Sequence, residues 1–224
     1  MQFKDPRVSK KQKGSDSNNT ARLTSSQIVI LEGGDGVGKT SVGKNMAETL
    51  KGTYISTPTR GFKKIRNYVE SLGSFESRFH YYLATVYDGL SEIRIKSNGS
   101  LVVCDRFVWS SIIGYCGLTN QSLNKVLGKY QTSLVELLNL DVTTILLTVN
   151  SKEQLQRLGT RESLGKTDAL TLTNYSFIIR TNELFARAAE MNNWMIFDTS
   201  GMSVEVSSNS IIGSLGLLEV NELS

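Results

Sequence analysis

Residues 33 to 40 read Gly33-Gly34-Asp35-Gly36-Val37-Gly38-Lys39-Thr40, a fit to the spacing G-x-x-x-x-G-K-S/T. Such a run has one evident chemistry. Glycines at Gly33, Gly36 and Gly38 let the backbone curl with its N–H groups pointing inward, and a following helix adds the positive end of its dipole, so the loop cradles phosphate. Lys39 supplies a point charge for β- and γ-phosphates, and the Thr40 hydroxyl, with Ser41 next to it, is placed to ligate Mg²⁺. Binding of a nucleoside triphosphate follows, with the choice among kinase, motor and switch still open. A second chemical feature is Asp105-Arg106-Phe107 at the end of the apolar run Leu101-Val102-Val103-Cys104. A carboxylate at the C-terminal end of a buried strand stands on the edge where such sheets bind ligands. Asp105 could hold Mg²⁺ or its water, or receive an acceptor's proton, and Arg106 offers a planar donor fork for phosphate. A third is the basic, glycine-flanked stretch Gln156 to Lys166, with Arg157, Arg161 and Lys166. It suits a lid over about residues 157–170 that brings positive charge to a transferring phosphoryl and excludes water. Arg161 is the favoured lid arginine, because Arg157 could face solvent on its helix.

These groups need a frame, and the apolar pattern supplies one. Short β-branched runs at Gln27–Leu31, Thr53–Thr57, Leu101–Cys104, Thr143–Val149 and Trp194–Phe197 read as strands buried on both faces. Between them lie segments of helical period, predicted at Lys39–Lys51, Phe62–Leu72, Glu76–Ser97, Phe107–Cys116, Ser122–Leu138, Lys152–Leu158, Leu170–Met191 and Val204–Leu215. Asn98-Gly99 is a stop signal for the longest. Strands alternating with helices predict an α/β fold of three layers, a P-loop NTPase architecture: a five-stranded parallel sheet with helices on both faces and a short lid.

Composition narrows the classes further. A chain of 224 residues suits one substantial α/β domain. No apolar run approaches the ~20 residues of a membrane-spanning helix, so the expectation is a protein that does not cross a bilayer. The net charge of +4 invites a nucleic-acid reading. Yet six basic and two acidic residues lie within Met1 to Ser26, leaving 19 of each sign in the remaining 198 residues. Residues 1–26 therefore read as a flexible basic tail, residues 27–224 as a neutral domain, and nucleic acid is not the expected partner. Two cysteines, Cys104 and Cys116, make no disulfide framework, which fits a reducing cytoplasm. His80, the only histidine, reads as a partly buried neighbour rather than a catalyst.

The phosphate loop from Leu31 to Ser41, with its acidic Asp35, resembles that of the thymidylate kinases. Asp105-Arg106-Phe107 followed by Ser110 is similar to their Asp-Arg-aromatic motif with its serine, and Thr57-Pro58-Thr59-Arg60 to their Pro-x-Arg segment. The resemblance covers roughly Gln27 to Leu217. It implies transfer of the γ-phosphoryl group of ATP, with Mg²⁺, to a small nucleotide acceptor, most directly dTMP to dTDP. By matching position, Arg60 and Arg106 would grip the acceptor phosphate. Asp35 would sit near metal and acceptor, Tyr81 or Tyr82 would stack on the base, and Pro58 would shape the pocket edge. Homodimers through helices beside the sheet are a further implication.

The pattern departs around the acceptor. The family's arginine on the long helix, one turn past the stacking ring, is absent from Leu83-Ala84-Thr85-Val86, and Arg78, earlier on the helix, is not assigned its role. Thr59 replaces the acid often found between Pro and Arg, and Gly114, followed by Tyr115, stands where an aromatic is common. Phosphoryl transfer is thus better supported than the acceptor's identity. The alternatives are a P-loop kinase for a nucleoside, another monophosphate or a small metabolite, and, further off, a nucleotide-driven switch. Against a GTPase, the only Asn-Lys pair, Asn124-Lys125, lacks the aspartate of a guanine reader; against a motor, Arg106 stands where a second acid is usual.

Overall fold

Apolar side chains in a short strand can all be buried only if the strand is covered on both sides, and that is how the three central strands of the sheet lie. The structure, a computed structural model, describes residues 28–97, 100–160 and 175–217. Five strands, β1 (Ile28–Glu32), β2 (Thr53–Ser56), β3 (Val102–Asp105), β4 (Thr143–Thr148) and β5 (Met195–Asp198), form one parallel sheet in the order β2-β3-β1-β4-β5. The helices described are α1 (Lys39–Thr49), α2 (Arg60–Lys63), α3 (Arg66–Ser71), α4 (Phe75–Lys96), α5 (Val108–Thr119), α6 (Leu123–Lys129), α7 (Gln131–Leu138), α8 (Ser151–Gly159), α9 (Tyr175–Asn192) and α10 (Val204–Ser214).

Alternation along the strands sorts the core into two layers. Val29, Leu31, Val103, Ile145 and Leu147 pack with Val42 and Met46 of α1 and with Ile211 and Ile212 of α10. Ile30, Val102, Cys104 and Leu146 face the other way, onto Val86 and Leu90 of α4, Ile112 of α5 and Ala188 of α9. Because β1 lies between β3 and β4, the chain leaves β1 toward one edge and later returns past it toward the other. Ligands of open parallel sheets bind beside such a reversal. The register sets Leu31 opposite Asp105 across the β1–β3 pair, so the phosphate loop and the Asp105-Arg106 turn emerge side by side.

The predicted elements are present with two breaks. The helix expected over Ser122–Leu138 divides at Tyr130, whose backbone leaves the helical region (φ −113, ψ 18). Its buried ring packs 4.6 Å from that of Phe79 and edge-on to Tyr115, and this aromatic packing outweighs helical continuity. The helix expected over Phe62–Leu72 is two short ones, α2 and α3, and Ile65, Tyr68 and Leu72 are exposed. Strand β5, on the sheet edge, alternates half-buried and exposed residues instead of being covered on both faces. His80 is exposed, with its ring edge-on to Tyr130, rather than partly buried. Residues 1–26, the Asn98-Gly99 stop signal and the start of the helix expected from Leu170 lie outside the described residues.

Helix α1, which carries the loop lysine, lies close to the sheet because Gly43 has no side chain. A Cβ there would stand 3.1 Å from Leu31 Cδ1 and 3.1 Å from Tyr54 Cε2. Gly43→Leu is expected to cost about 1–3 kcal/mol by overpacking. The check is a urea unfolding midpoint; one equal to that of the wild type would contradict this close approach of α1.

Candidate active site

The loop leaving β1 turns through conformations that side chains rarely adopt. Gly33 has φ 140 and Gly38 has φ 98, and a Cβ on Gly33 would come within 2.4 Å of the Leu147 carbonyl oxygen. Inside the loop the buried Lys39 donates from Nζ to the carbonyls of Gly33 (2.9 Å) and Gly34 (2.5 Å). Burial, aided by the nearby Arg106 guanidinium, lowers its pKa to about 7 against the pull of Asp105, Asp35 and Glu32. A phosphate beside this lysine would favour its charged form, so an anionic ligand and the ammonium stabilise each other.

Asp105, at the end of β3, points at the first turn of α1. Its Oδ2 accepts from the Thr40 hydroxyl at 2.5 Å and from the Tyr54 hydroxyl at 2.9 Å, while its Oδ1 is buried with no hydrogen-bond partner. Burial and the Asp105 carboxylate push the Tyr54 phenol upward, which keeps it a donor. An orphaned carboxylate oxygen beside a hydroxyl is a fitting seat for a hard divalent cation shared with phosphate oxygens. Among the described residues there is no cluster of three or more His, Cys, Asp or Glu that could hold an ion alone.

Arg106 follows with a left-handed backbone, φ 69, a strained conformation for a side-chain-bearing residue. Three bonds impose it: its N–H donates to Leu31 O (3.0 Å), and its carbonyl accepts from the Thr57 hydroxyl (2.9 Å) and the Cys104 thiol (3.3 Å). The strain turns the guanidinium toward the loop, where it pairs with Asp35 and donates to Ser110 Oγ at 3.1 Å. Beneath it lies Glu32, fully buried at the end of β1. Glu32 accepts from the Phe107 N–H (3.0 Å), the Ser110 N–H (3.2 Å) and the Ser110 hydroxyl, and so caps the start of α5 from a neighbouring strand.

One cavity joins these groups. Its floor is the phosphate loop (Asp35, Gly36, Gly38, Lys39, Thr40, Ser41) with Thr57, Pro58 and Arg106, and it extends between α4 and α5 past Ser110, Tyr82, Phe79, Gly114 and Tyr115. Of the residues expected at the site, the loop from Asp35 to Ser41, Arg106, Ser110, Pro58 and Tyr82 line this cavity, whereas Asp105 stands behind Thr40 and does not line it. Tyr81 does not line the cavity; it is buried, and its hydroxyl donates to Phe62 O at 2.9 Å. Arg60 is exposed on α2 and does not line it either. Arg157 is fixed by Glu153 (2.6 Å) and by Thr199 O (2.9 Å) and Oγ1 (3.1 Å), on the outer side of the loop. Arg161 and the rest of the expected lid from 161 to 170 lie outside the described residues.

Several residues of the site went unread in the sequence: Glu32, Tyr54, Arg66, Glu70 and Arg78. Arg66, Glu70 and Tyr82 form a connected wall, with Glu70 accepting from Arg66 Nε at 2.8 Å and from the Tyr82 hydroxyl at 2.5 Å. One signal was available for Arg78: together with Tyr82, Thr85 and Gly89 it recurs at helical spacing on one stripe of α4. Another was Glu32, an acid closing an apolar strand in the manner of Asp105.

The chain matches the family model described as Thymidylate kinase over residues 31–211. It is 26% identical to a probable thymidylate kinase of Methanococcus aeolicus, across 84% of this chain and 95% of that protein. With one of Methanocaldococcus jannaschii the identity is 26% across 86% and 97%. Among solved structures, thymidylate kinase from Candida albicans has a TM-score of 0.66 at 16% identity, covering 86% of this chain and 93% of that one. Deoxyadenosine kinase from M. mycoides reaches 0.63 at 17%, covering 84% and 98%. At such identities the two structures bear on the fold alone, which is theirs.

Glu32 offers a test of how the site is held. Burial lifts its carboxyl above the ordinary 4.5, against the opposing pull of Ser110, Arg106 and the Phe107 N–H. The folded state thus binds this proton more tightly than the unfolded chain, so the group's contribution to stability is full below about pH 4.5 and is lost as pH rises through the elevated folded value. Glu32→Gln does not ionise, so its urea midpoint is expected to gain on that of the wild type as pH rises above 4.5. A constant offset between the two would contradict the buried, elevated carboxyl. Glu32→Ala, which orphans two N–H groups, is expected to lose about 1–3 kcal/mol throughout.

Proposed function

The chain belongs to the thymidylate kinase family, and from that premise we propose that it transfers the γ-phosphoryl group of ATP to a nucleoside monophosphate, foremost dTMP to give dTDP. The observation that carries this reading is the opening onto one cavity of a phosphate loop and the Arg106–Asp35 pair, with Asp105 held behind the loop by Thr40. Arg106 favours an acceptor that is itself phosphorylated, because its fork opens beside the loop rather than onto solvent.

In this reading Gly33, Gly36 and Gly38 shape the loop around the donor's phosphates, Ser41 lies beside them, and Lys39 follows the charge as it moves from γ-phosphate to acceptor. Arg106, steadied by Asp35 and Ser110, orients the acceptor phosphate in line with the donor. Mg²⁺, when bound, would be held by Thr40 and Asp105, with Asp35 near it, and would supply positive charge to the phosphates. Tyr82 lines the cavity where a base would stack, Pro58 shapes its edge, and Arg60, two residues beyond, would close on the acceptor phosphate. Arg161 supplies the lid's charge, since the loop holds no arginine. No described helix is long and apolar enough to cross a membrane; a cytoplasmic enzyme that pairs as a homodimer through helices beside the sheet completes the proposal.

Coupled ADP-release assays across the common monophosphates and nucleosides test it. Turnover with a nucleoside monophosphate, requiring added Mg²⁺, is the expected outcome, and stimulation by none of them would overturn the reading. Lys39→Ala is expected to lower kcat at least about 100-fold, the scale of losing a transition-state charge contact. Retained activity would refute the donor-side assignment.

A further inference from the structure

Arg78, in the first turn of α4, lines the cavity and is only 9% exposed. Among the described residues it makes no hydrogen bond and no ion pair, and its Nε is buried without a partner. Glu70 interacts with its charge through space but is hydrogen-bonded to Arg66 and Tyr82. A guanidinium held in this way is costly unless something else supplies its acceptor. It faces the cavity, so that acceptor comes from the bound molecule.

The helix itself measures where on that molecule Arg78 acts. Gly89 lies against Thr57 at the cavity floor, where a Cβ on it would meet Thr57 Cγ2 at 2.8 Å. Arg78 is eleven positions earlier, roughly 16 Å along the axis at 1.5 Å per residue. Helical side chains lean toward the N-terminus, so this one leans farther still from Lys39 and Arg106. Helix α5 gives the same order: Ser110 accepts from Arg106 at the floor, and Tyr115, more than a turn on, stacks 4.7 Å from Phe79, the neighbour of Arg78. The phosphate end and the Arg78 end are therefore opposite ends of one slot.

A guanidinium only donates; it rewards a carbonyl oxygen and clashes with an amino group. We propose that Arg78 is a specificity-determining residue, donating to a ring carbonyl of the acceptor base. It thereby favours keto bases (thymine, uracil or guanine) over cytosine and adenine. This rests on the kinase reading of the same cavity and adds which acceptors it prefers and why.

Steady-state kinetics of the full chain with dTMP, dUMP, dCMP, dGMP and dAMP at saturating ATP and Mg²⁺, for wild type, Arg78→Met and Arg78→Lys, test it. Wild type is expected to favour the keto member of each pair. In Arg78→Met the KM for dTMP should rise roughly 10- to 100-fold, the loss of a charge-assisted hydrogen bond. The dTMP-to-dCMP ratio of kcat/KM should fall toward one, with the KM for ATP unchanged and Arg78→Lys intermediate. The thermal midpoint of Arg78→Met should equal or exceed that of the wild type, because an unpartnered charge leaves the interior. Equal losses for dTMP and dCMP would mean that Arg78 holds a part common to both and would overturn the proposal. So would an unchanged ratio, or a lowered midpoint with the ratio intact. Wild type inactive on every nucleotide would overturn the kinase reading itself, whereas an active wild type with a preserved ratio in Arg78→Met overturns this inference alone.

Discussion

The parallel pairing of β1 with β3 is the constraint on which the site depends. By setting Leu31 opposite Asp105, it releases two turns at one point on the sheet edge, one carrying a phosphate loop and the other a carboxylate and a guanidinium. Every cross-link between them then becomes short. Thr40 reaches Asp105, Arg106 reaches Asp35, and Glu32 reaches over to cap α5. Slipping the register by one residue would turn Ile30 and Leu31 to the wrong layers and separate all three links at once. The core and the chemistry are therefore fixed by the same hydrogen-bonded ladder.

Electrostatics completes what the ladder begins. Lys39 is buried on backbone carbonyls, Arg106 is matched by Asp35, and Asp105 leaves one oxygen unpaired. The arrangement is preorganised for a ligand that brings negative charge and a hard cation together, which a nucleoside triphosphate with its metal does. The strained Arg106 backbone belongs to the same design, since three hydrogen bonds keep the guanidinium facing the loop without help from the ligand. Away from the floor the cavity changes character: aromatic rings and Arg78 line it.

Local chemistry was legible in the sequence wherever a motif is contiguous. The phosphate loop, the Asp105-Arg106 turn and the five strands could be read because glycine spacing and apolar runs are properties of neighbours in the chain. What could not be read was assembled across it. Glu32 caps a helix that begins 76 residues later, Tyr54 reaches Asp105 from the preceding strand across 51 positions, and Glu70 ties Tyr82 to Arg66 through a helix pair. Tyr81 and Tyr82 were indistinguishable as letters; only the helix phase turns one into the cavity and the other toward Phe62. The break at Tyr130 was hidden for a like reason, because the rings of Phe79 and Tyr115 that enforce it come from other helices.

Central to all of this is that the γ-phosphoryl group goes to a nucleotide and not to water. Phosphorus NMR of the wild-type protein with ATP, Mg²⁺ and dTMP observes both fates in one sample. Resonances of ADP and dTDP should grow together in equal amounts, with inorganic phosphate at background. Growth of inorganic phosphate with no dTDP would contradict it, since a cavity that ends in water would then be hydrolysing the donor.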